Sequence, residues 1–338
     1  MTRMFVPALL LLTSLRAEAV QEPADKDKIS ETLHEARTLI DRNLPTQAIE
    51  MLKTLAPASD ARVTGMLGVA YYHANDPVRA IDALAPVVDK LPADSIEKRE
   101  SIQVLGLCYY LAGHYLESIP FLEQTRAWTP NNLELTYALG LAFVRVKQTV
   151  RARNTFAGMF GVPPDSAAAH LLTAQMMLRL EILDSAQTEL EKALEKDPRL
   201  PQAHLMLAEL AISLNRLEEG IADLQKELQF NPGNSMALYR LGEIYARQLK
   251  WNEAIAALQK SVWINPYFSA PYILLGKAYQ NKNDPGAAEG MLRRALQYDP
   301  NNKTAHYILG RVLLQMGRTD EAKRELEAAR HLQGDLDR

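Results

Sequence analysis

LGEIYARQLKWNEAIAALQKSVWINP at residues 241–266 and LGKAYQNKNDPGAAEGMLRRALQYDP at 275–300 are two copies of one pattern. Superimposed, they place Leu241 on Leu275, Gly242 on Gly276, Tyr245 on Tyr279, Ala254 on Ala288, Leu258 on Leu292 and Pro266 on Pro300. The small and large apolar residues recur every three or four positions, the spacing of one helical face. Asp284-Pro285 breaks the second copy in its middle: an acid suited to capping a helix precedes a proline suited to starting one. Each copy therefore reads as helix, tight turn, helix, and repetition at a fixed period decides the architecture before any single helix does.

The period extends in both directions. Prolines stand at 130, 164, 198, 232, 266 and 300, a constant step of 34 residues. Pro92 joins them once a four-residue insertion, Ser95 to Lys98, is allowed for. With this proline at position 32, repeats run 61–94, 99–132, 133–166, 167–200, 201–234, 235–268, 269–302 and 303–336, after a shortened copy at 29–60. Position 8 is always small, from Ala36 and Gly68 to Gly310, and position 20 is mostly alanine, so the two helices of a repeat can approach closely there. Position 24 is always large and apolar, from Leu52 to Leu326, and position 11 carries Tyr71, Tyr109, Phe143, Tyr245 and Tyr279. The position-32 proline lacks the N–H that would continue the preceding helix and separates one repeat from the next.

These features, above all L-G-x-x-Y at 241–245 with Ala254, Leu258 and Pro266, resemble the tetratricopeptide repeat family over residues 29–336. The resemblance implies an all-α, right-handed superhelical solenoid of about nine helix-turn-helix units. Glu35, Thr173 and Glu227 depart from the family's usual apolar or small residues, and Gly161-Val162-Pro163-Pro164 is expected to cut one second helix short.

Composition sets the setting. The 338 residues are 47% hydrophobic with charges of both signs interspersed to a net −3, which supplies a long core and excludes a polyanion-binding surface, so no nucleic acid is expected. Residues 1–19 read as a secretory signal: Arg3, an apolar run from Met4 to Leu15, and Ala17-Glu18-Ala19 before a cleavage point. The run of about 12 residues falls short of the roughly 20 that span a bilayer, so no stable membrane span is expected after cleavage; an uncleaved signal serving as an anchor is the alternative. Residues 20–28 are expected to be a linker and 337–338 a tail. The one cysteine, Cys108, lies in the apolar stretch Val104–Leu111 and is expected to be a core residue.

No catalytic, cofactor or metal site is expected. His170, His204 and His306 share position 4, so successive ones stand roughly 10 Å or more apart, too far to share a metal at bonds of about 2 Å. There is no HExxH, glycine-rich phosphate loop or nucleophile elbow. Glu321 to Arg330 reads as the polar outer face of a capping helix.

In the family's fold the first helices line a concave wall, with positions 2, 5, 9 and 12 turned inward. Position 5 supplies Tyr137, Leu171, Leu205, Tyr239, Ile273 and Tyr307; position 9 supplies Leu141, Glu243, Lys277 and Arg311, with Arg240 at position 6. These residues form the candidate groove, apolar with a polarity change toward its end, suited to an extended segment or amphipathic helix of a partner protein. The Lys and Asn pair at positions 5 and 9 with which some family members clamp a chaperone's terminal carboxylate is absent, as is an asparagine ladder at position 6. The expectation is an exported, periplasmic scaffold, not an enzyme, that holds protein or peptide partners for assembly of envelope or secreted complexes. An accessory subunit guiding substrate for polysaccharide or pilus export is the alternative, and an enzyme acting alone ranks last.

Overall fold

The computed structural model describes residues 22–55 and 60–334; the expected signal, 1–19, and tail, 337–338, lie outside them. Among the described residues there are eighteen α-helices, one 3-10 turn and no strand. Two compact units divide the chain after Gly161. The first holds α1 (Glu22–Asp41), α2 (Pro45–Leu55), α3 (Ala61–His73), α4 (Pro77–Leu84), α5 (Ile96–Leu111), α6 (Tyr115–Trp128), α7 (Leu133–Arg145) and α8 (Thr149–Phe160). The second holds α9 (Ala167–Arg179), α10 (Leu183–Lys196), α11 (Ala203–Ser213), α12 (Leu217–Phe230), α13 (Ser235–Arg247), α14 (Trp251–Ile264), α15 (Ser269–Asn281), α16 (Pro285–Tyr298), α17 (Lys303–Gln315) and α18 (Thr319–Gly334).

Within each unit, odd-numbered and even-numbered helices form two layers. Every helix packs on the next, and odd helices also touch one another: α3 meets α5 and α5 meets α7 in the first unit; α11 meets α13, α13 meets α15 and α15 meets α17 in the second. The sequence dictates this through two positions. A Cβ added to Gly242 would stand 2.6 Å from Leu258, and one added to Gly310 would stand 2.7 Å from Leu326, so at these hairpins the missing carbon lets the leucine seat against the facing backbone. The position-20 residues Ala48, Ala80, Ala152, Ala186, Ala254, Ala288 and Ala322 are wholly buried, as are Leu52, Leu84, Leu122, Phe156, Leu190, Leu224, Leu258 and Leu292 at position 24.

The turns share a feature to which six of the nine residues there, four Asn and two Gly, point by type. Asn43, Asn75, Gly113, Lys147, Glu181, Asn215, Leu249, Asn283 and Gly317 stand at equivalent places between the two helices of successive repeats, and all have positive φ. In each case the chain closes as Leu249 N–H does on Ala246 O (3.1 Å) and Lys250 N–H on Tyr245 O (2.9 Å), satisfying carbonyls at the helix end. At the opposite end Asn132, Ser166, Asn234 and Asn302 cap first helices through side-chain oxygens, while Asp76 and Asp284 cap second helices ahead of Pro77 and Pro285.

Four local features have physical causes, of which the short α8 was expected. The segment 20–28, expected as a linker, is helical from Glu22: it consists of helix-compatible residues, and Pro23 falls in the first turn, where its missing N–H costs nothing. The insertion Ser95–Lys98 lengthens α5, capped by Ser95, while α4 stops at Leu84 ahead of Pro86 and hands over to a 3-10 turn at Val88–Lys90. The helix α8 ends at Phe160, where Gly161 adopts a left-handed conformation before Pro163 and Pro164. Glu227 is accommodated in the core by the side-chain amide of Asn234, which donates to its Oε1 at 2.9 Å while also capping α13.

Candidate functional site

Helices α15 and α17 stand side by side in the second unit, and a cleft of about 770 Å³ opens between them. Its apolar surface comes from Ile273, Leu274 and Ile308, with Tyr307 about half exposed beside them. Lys277 and Arg311 occupy the same repeat position on the two helices and both are exposed. Around them are the amides Gln280, Asn281, Asn283 and Gln315; Gln315 donates to Asn283 Oδ1 at 2.9 Å and Asn281 to the Lys277 carbonyl at 2.8 Å. Four candidate residues, Ile273, Lys277, Tyr307 and Arg311, are thus brought together.

One helix earlier the charges neutralise each other. Arg240 on α13 lies 3.1 Å from Glu209 of α11 and 3.0 Å from Glu243, which is also 2.7 Å from Arg247. Burial opposes the charge on Arg240, but its two carboxylate partners outweigh that and raise its pKa above the ordinary value. Tyr239 packs edge-on against Phe268 at 5.0 Å, with the Arg240 guanidinium 5.5 Å from its ring centre. Burial, reinforced by Glu243, pushes its phenol pKa up, so its hydroxyl stays protonated. Leu171 and Leu205 are half-buried, and Leu205 packs against the core around Ala208 and Leu224.

In the first unit Leu141 is buried and faces its neighbours instead of solvent. Tyr137 lines a separate cleft of about 340 Å³ with Tyr72, Tyr110, Gln103, Leu107 and Glu134. That trio of tyrosines escapes a reading confined to one repeat position, because Tyr72 and Tyr110 sit at position 12 and Tyr137 at position 5.

The position-4 histidines His170 and His204 are buried and His306 is partly buried, and all three have partners that sequence reasoning missed. His170 Nδ1 lies 2.8 Å from Glu189 and Nε2 3.3 Å from Asp165; both His170 and Glu189 are almost wholly buried. His204 pairs with Asp223 at 3.1 Å and His306 with Glu325 at 2.6 Å. The signal was present as an acid 19 residues after each of these histidines, which puts it on the facing second helix. Among the described residues no group of three or more His, Cys, Asp or Glu is placed to hold a metal ion. Cys108 is buried, and desolvation pushes its thiol up to about 12.

No curated protein matches the chain. Among solved structures, it is similar to MamA (residues 41 to end) from Desulfovibrio magneticus RS-1, at 21% identity over 52% of this chain and 98% of that one, with a TM-score of 0.48. It is similar to pilF of Pseudomonas aeruginosa at 20% identity over 60% and 93%, TM-score 0.49. YrrB, described as a tetratricopeptide repeat protein with an unusual peptide-binding site, aligns at 19% identity over 55% and 94%, TM-score 0.47. Three tetratricopeptide repeat family models match, at residues 33–95 and 178–235, at 236–266, and at 278–337. With those matches laid over a period that places the same small and large residues at the same points of each hairpin, the chain belongs to the tetratricopeptide repeat family.

Proposed function

We propose that this protein is an exported scaffold that holds segments of other proteins on the first-helix side of its second unit, and that it is not an enzyme. The observation that carries the reading is the α15/α17 cleft. There Ile273, Tyr307, Lys277 and Arg311 share one surface, whereas the adjacent α13 charges are consumed by Glu209–Arg240–Glu243 pairing. Apolar anchors beside charges lacking carboxylate partners suit a peptide that supplies both kinds of contact. Export rests on the sequence of residues 1–19, which also suggests partners in the envelope; no described helix is long and apolar enough to cross a membrane.

Site-specific photocrosslinking tests this. A photoreactive residue replaces Tyr239, Ile273 or Tyr307 on the first helices, or Trp263 or Arg293 on the second helices. Covalent adducts with a discrete set of proteins from the first three positions support the reading, with the adducts identified by mass spectrometry. Adducts confined to 263 and 293 would move binding to the opposite layer and overturn it. Cell fractionation decides localisation: recovery of the full chain only in the cytosol would refute export.

A further inference from the structure

Resting on the groove reading above, we infer that the α15/α17 cleft takes an extended acidic segment of a partner protein, recognised through side-chain carboxylates by Lys277 and Arg311.

The charge pattern carries this. Neither α15 nor α17 contains an Asp or Glu; their lysines and arginines are Lys277, Lys303 and Arg311. Neither the Lys277 ammonium nor the Arg311 guanidinium meets a carboxylate among the described residues, and the residues lining the cleft include no acid. By contrast Arg216, Arg240, Arg247, Arg293 and Arg318 of the same unit reach carboxylates within 3.3 Å. The Arg311 guanidinium stands 6.0 Å from the Tyr307 ring centre, so an aromatic face and a cation are presented side by side. A segment alternating carboxylates with apolar residues would answer both, its acids on Lys277 and Arg311 and its apolar side chains on Ile273, Ile308 and Tyr307.

The helix spacing suits side-chain carboxylates set along an extended strand. A terminal carboxylate is a single point that needs donors converging on it. Lys277 and Arg311 rise from successive first helices, roughly 10 Å apart as packed helices stand. An extended strand advances about 3.3 Å per residue, so acids a few residues apart reach both cations. The amides Gln280, Asn281 and Asn283 line the same cleft.

The test is fluorescence anisotropy on the full chain with three labelled probes. One is an N-acetylated, C-amidated peptide alternating Asp or Glu with Leu or Phe. The second carries Asn and Gln in place of the acids. The third is the neutral peptide with a free C-terminus. The expected result is binding of the acidic amidated peptide, at least about tenfold tighter than its neutral counterpart and weakening as salt rises. K277A combined with R311A should lose about tenfold in affinity with an unchanged melting temperature, since both side chains are exposed. The reversed pair K277E/R311E should instead bind a lysine version of the peptide. Equal affinity for acidic and neutral probes, no binding of the acidic probe, or an unaffected K277A/R311A variant would overturn the inference. Preference for the free C-terminus would overturn it in favour of end recognition. The broader groove reading fails separately, by the photocrosslinking above. A neutral probe whose binding is lost in I273A or Y307A, without charge preference, would keep the groove and remove the acidic segment.

Discussion

Leu249 holds a left-handed backbone conformation, φ 60°, in the turn between α13 and α14, although it carries a branched side chain and is 69% exposed. An L-residue with a Cβ pays about 1–2 kcal/mol for that conformation, and here no burial offsets it. Leu249→Asn, which installs the residue found at Asn215 and Asn283, is therefore expected to stabilise the protein by about 1 kcal/mol, read as a raised denaturation midpoint. The neighbouring repeats, with Asn or Gly in six of nine copies, show why this position was only partly legible in the sequence while position 8 was plain. A Cβ at Gly242 meets Leu258 at 2.6 Å, so the residue type is tightly constrained and recurs. The turn is fixed by backbone hydrogen bonds that any residue can make at modest cost, so Lys147, Glu181 and Leu249 hide it. Cys108 was legible by its apolar neighbours, and its buried thiol, held at about 12, gives a second expected outcome. It should resist a thiol-disulfide reagent in native protein at pH 8 and react on unfolding; rapid native labelling would contradict its burial.

Pairs of helices were readable from spacing and caps, but what joins them was only half readable. Apolar closure by Gly242 and Leu258 follows from residue types 16 apart in one repeat. The His170–Glu189 clamp between α9 and α10 does not, because a carboxylate on a second helix usually faces solvent and only the fold shows that this one is 1% exposed. The same limit applies to the candidate groove. Residue types alone give Arg240 and Lys277 the same standing, yet Arg240 is taken up by Glu209 of another helix and Lys277 is not. A buried hydrogen-bonded pair costs most when halved. Removing His170 alone as H170L should cost about 1–3 kcal/mol, because Glu189 loses its 2.8 Å partner inside the core and keeps Lys192 at 3.6 Å. Replacing both residues by leucine should cost clearly less than the two single changes together, by about 0.5–3 kcal/mol of coupling in a denaturant double-mutant cycle. Strict additivity would mean that the 2.8 Å contact contributes nothing between the helices.

The second unit has no single centre, since buried clusters follow one another along the repeats: one around Ala208, Leu224 and Ile244, another around Ala254, Leu258 and Leu275, another around Ala288, Leu292 and Leu309. A helix hairpin cannot bury its apolar face alone, so each cluster is shared between neighbouring repeats and stability is a sum of local terms. That makes damage local. Leu258 is wholly buried opposite Gly242, and Leu258→Ala is expected to cost about 2–5 kcal/mol. Its effect should be legible by amide hydrogen exchange: α13, α14 and α15, which line the cluster holding Leu258, lose protection first, while α3, α5 and α7 of the first unit keep theirs. The cleft between α15 and α17 shares helix α15 with that cluster, so the same variant should also weaken peptide binding without touching a groove residue. Uniform loss of protection across all helices would instead indicate one global cooperative unit, and nearest-neighbour packing would then be the wrong description of how this repeat protein stands up.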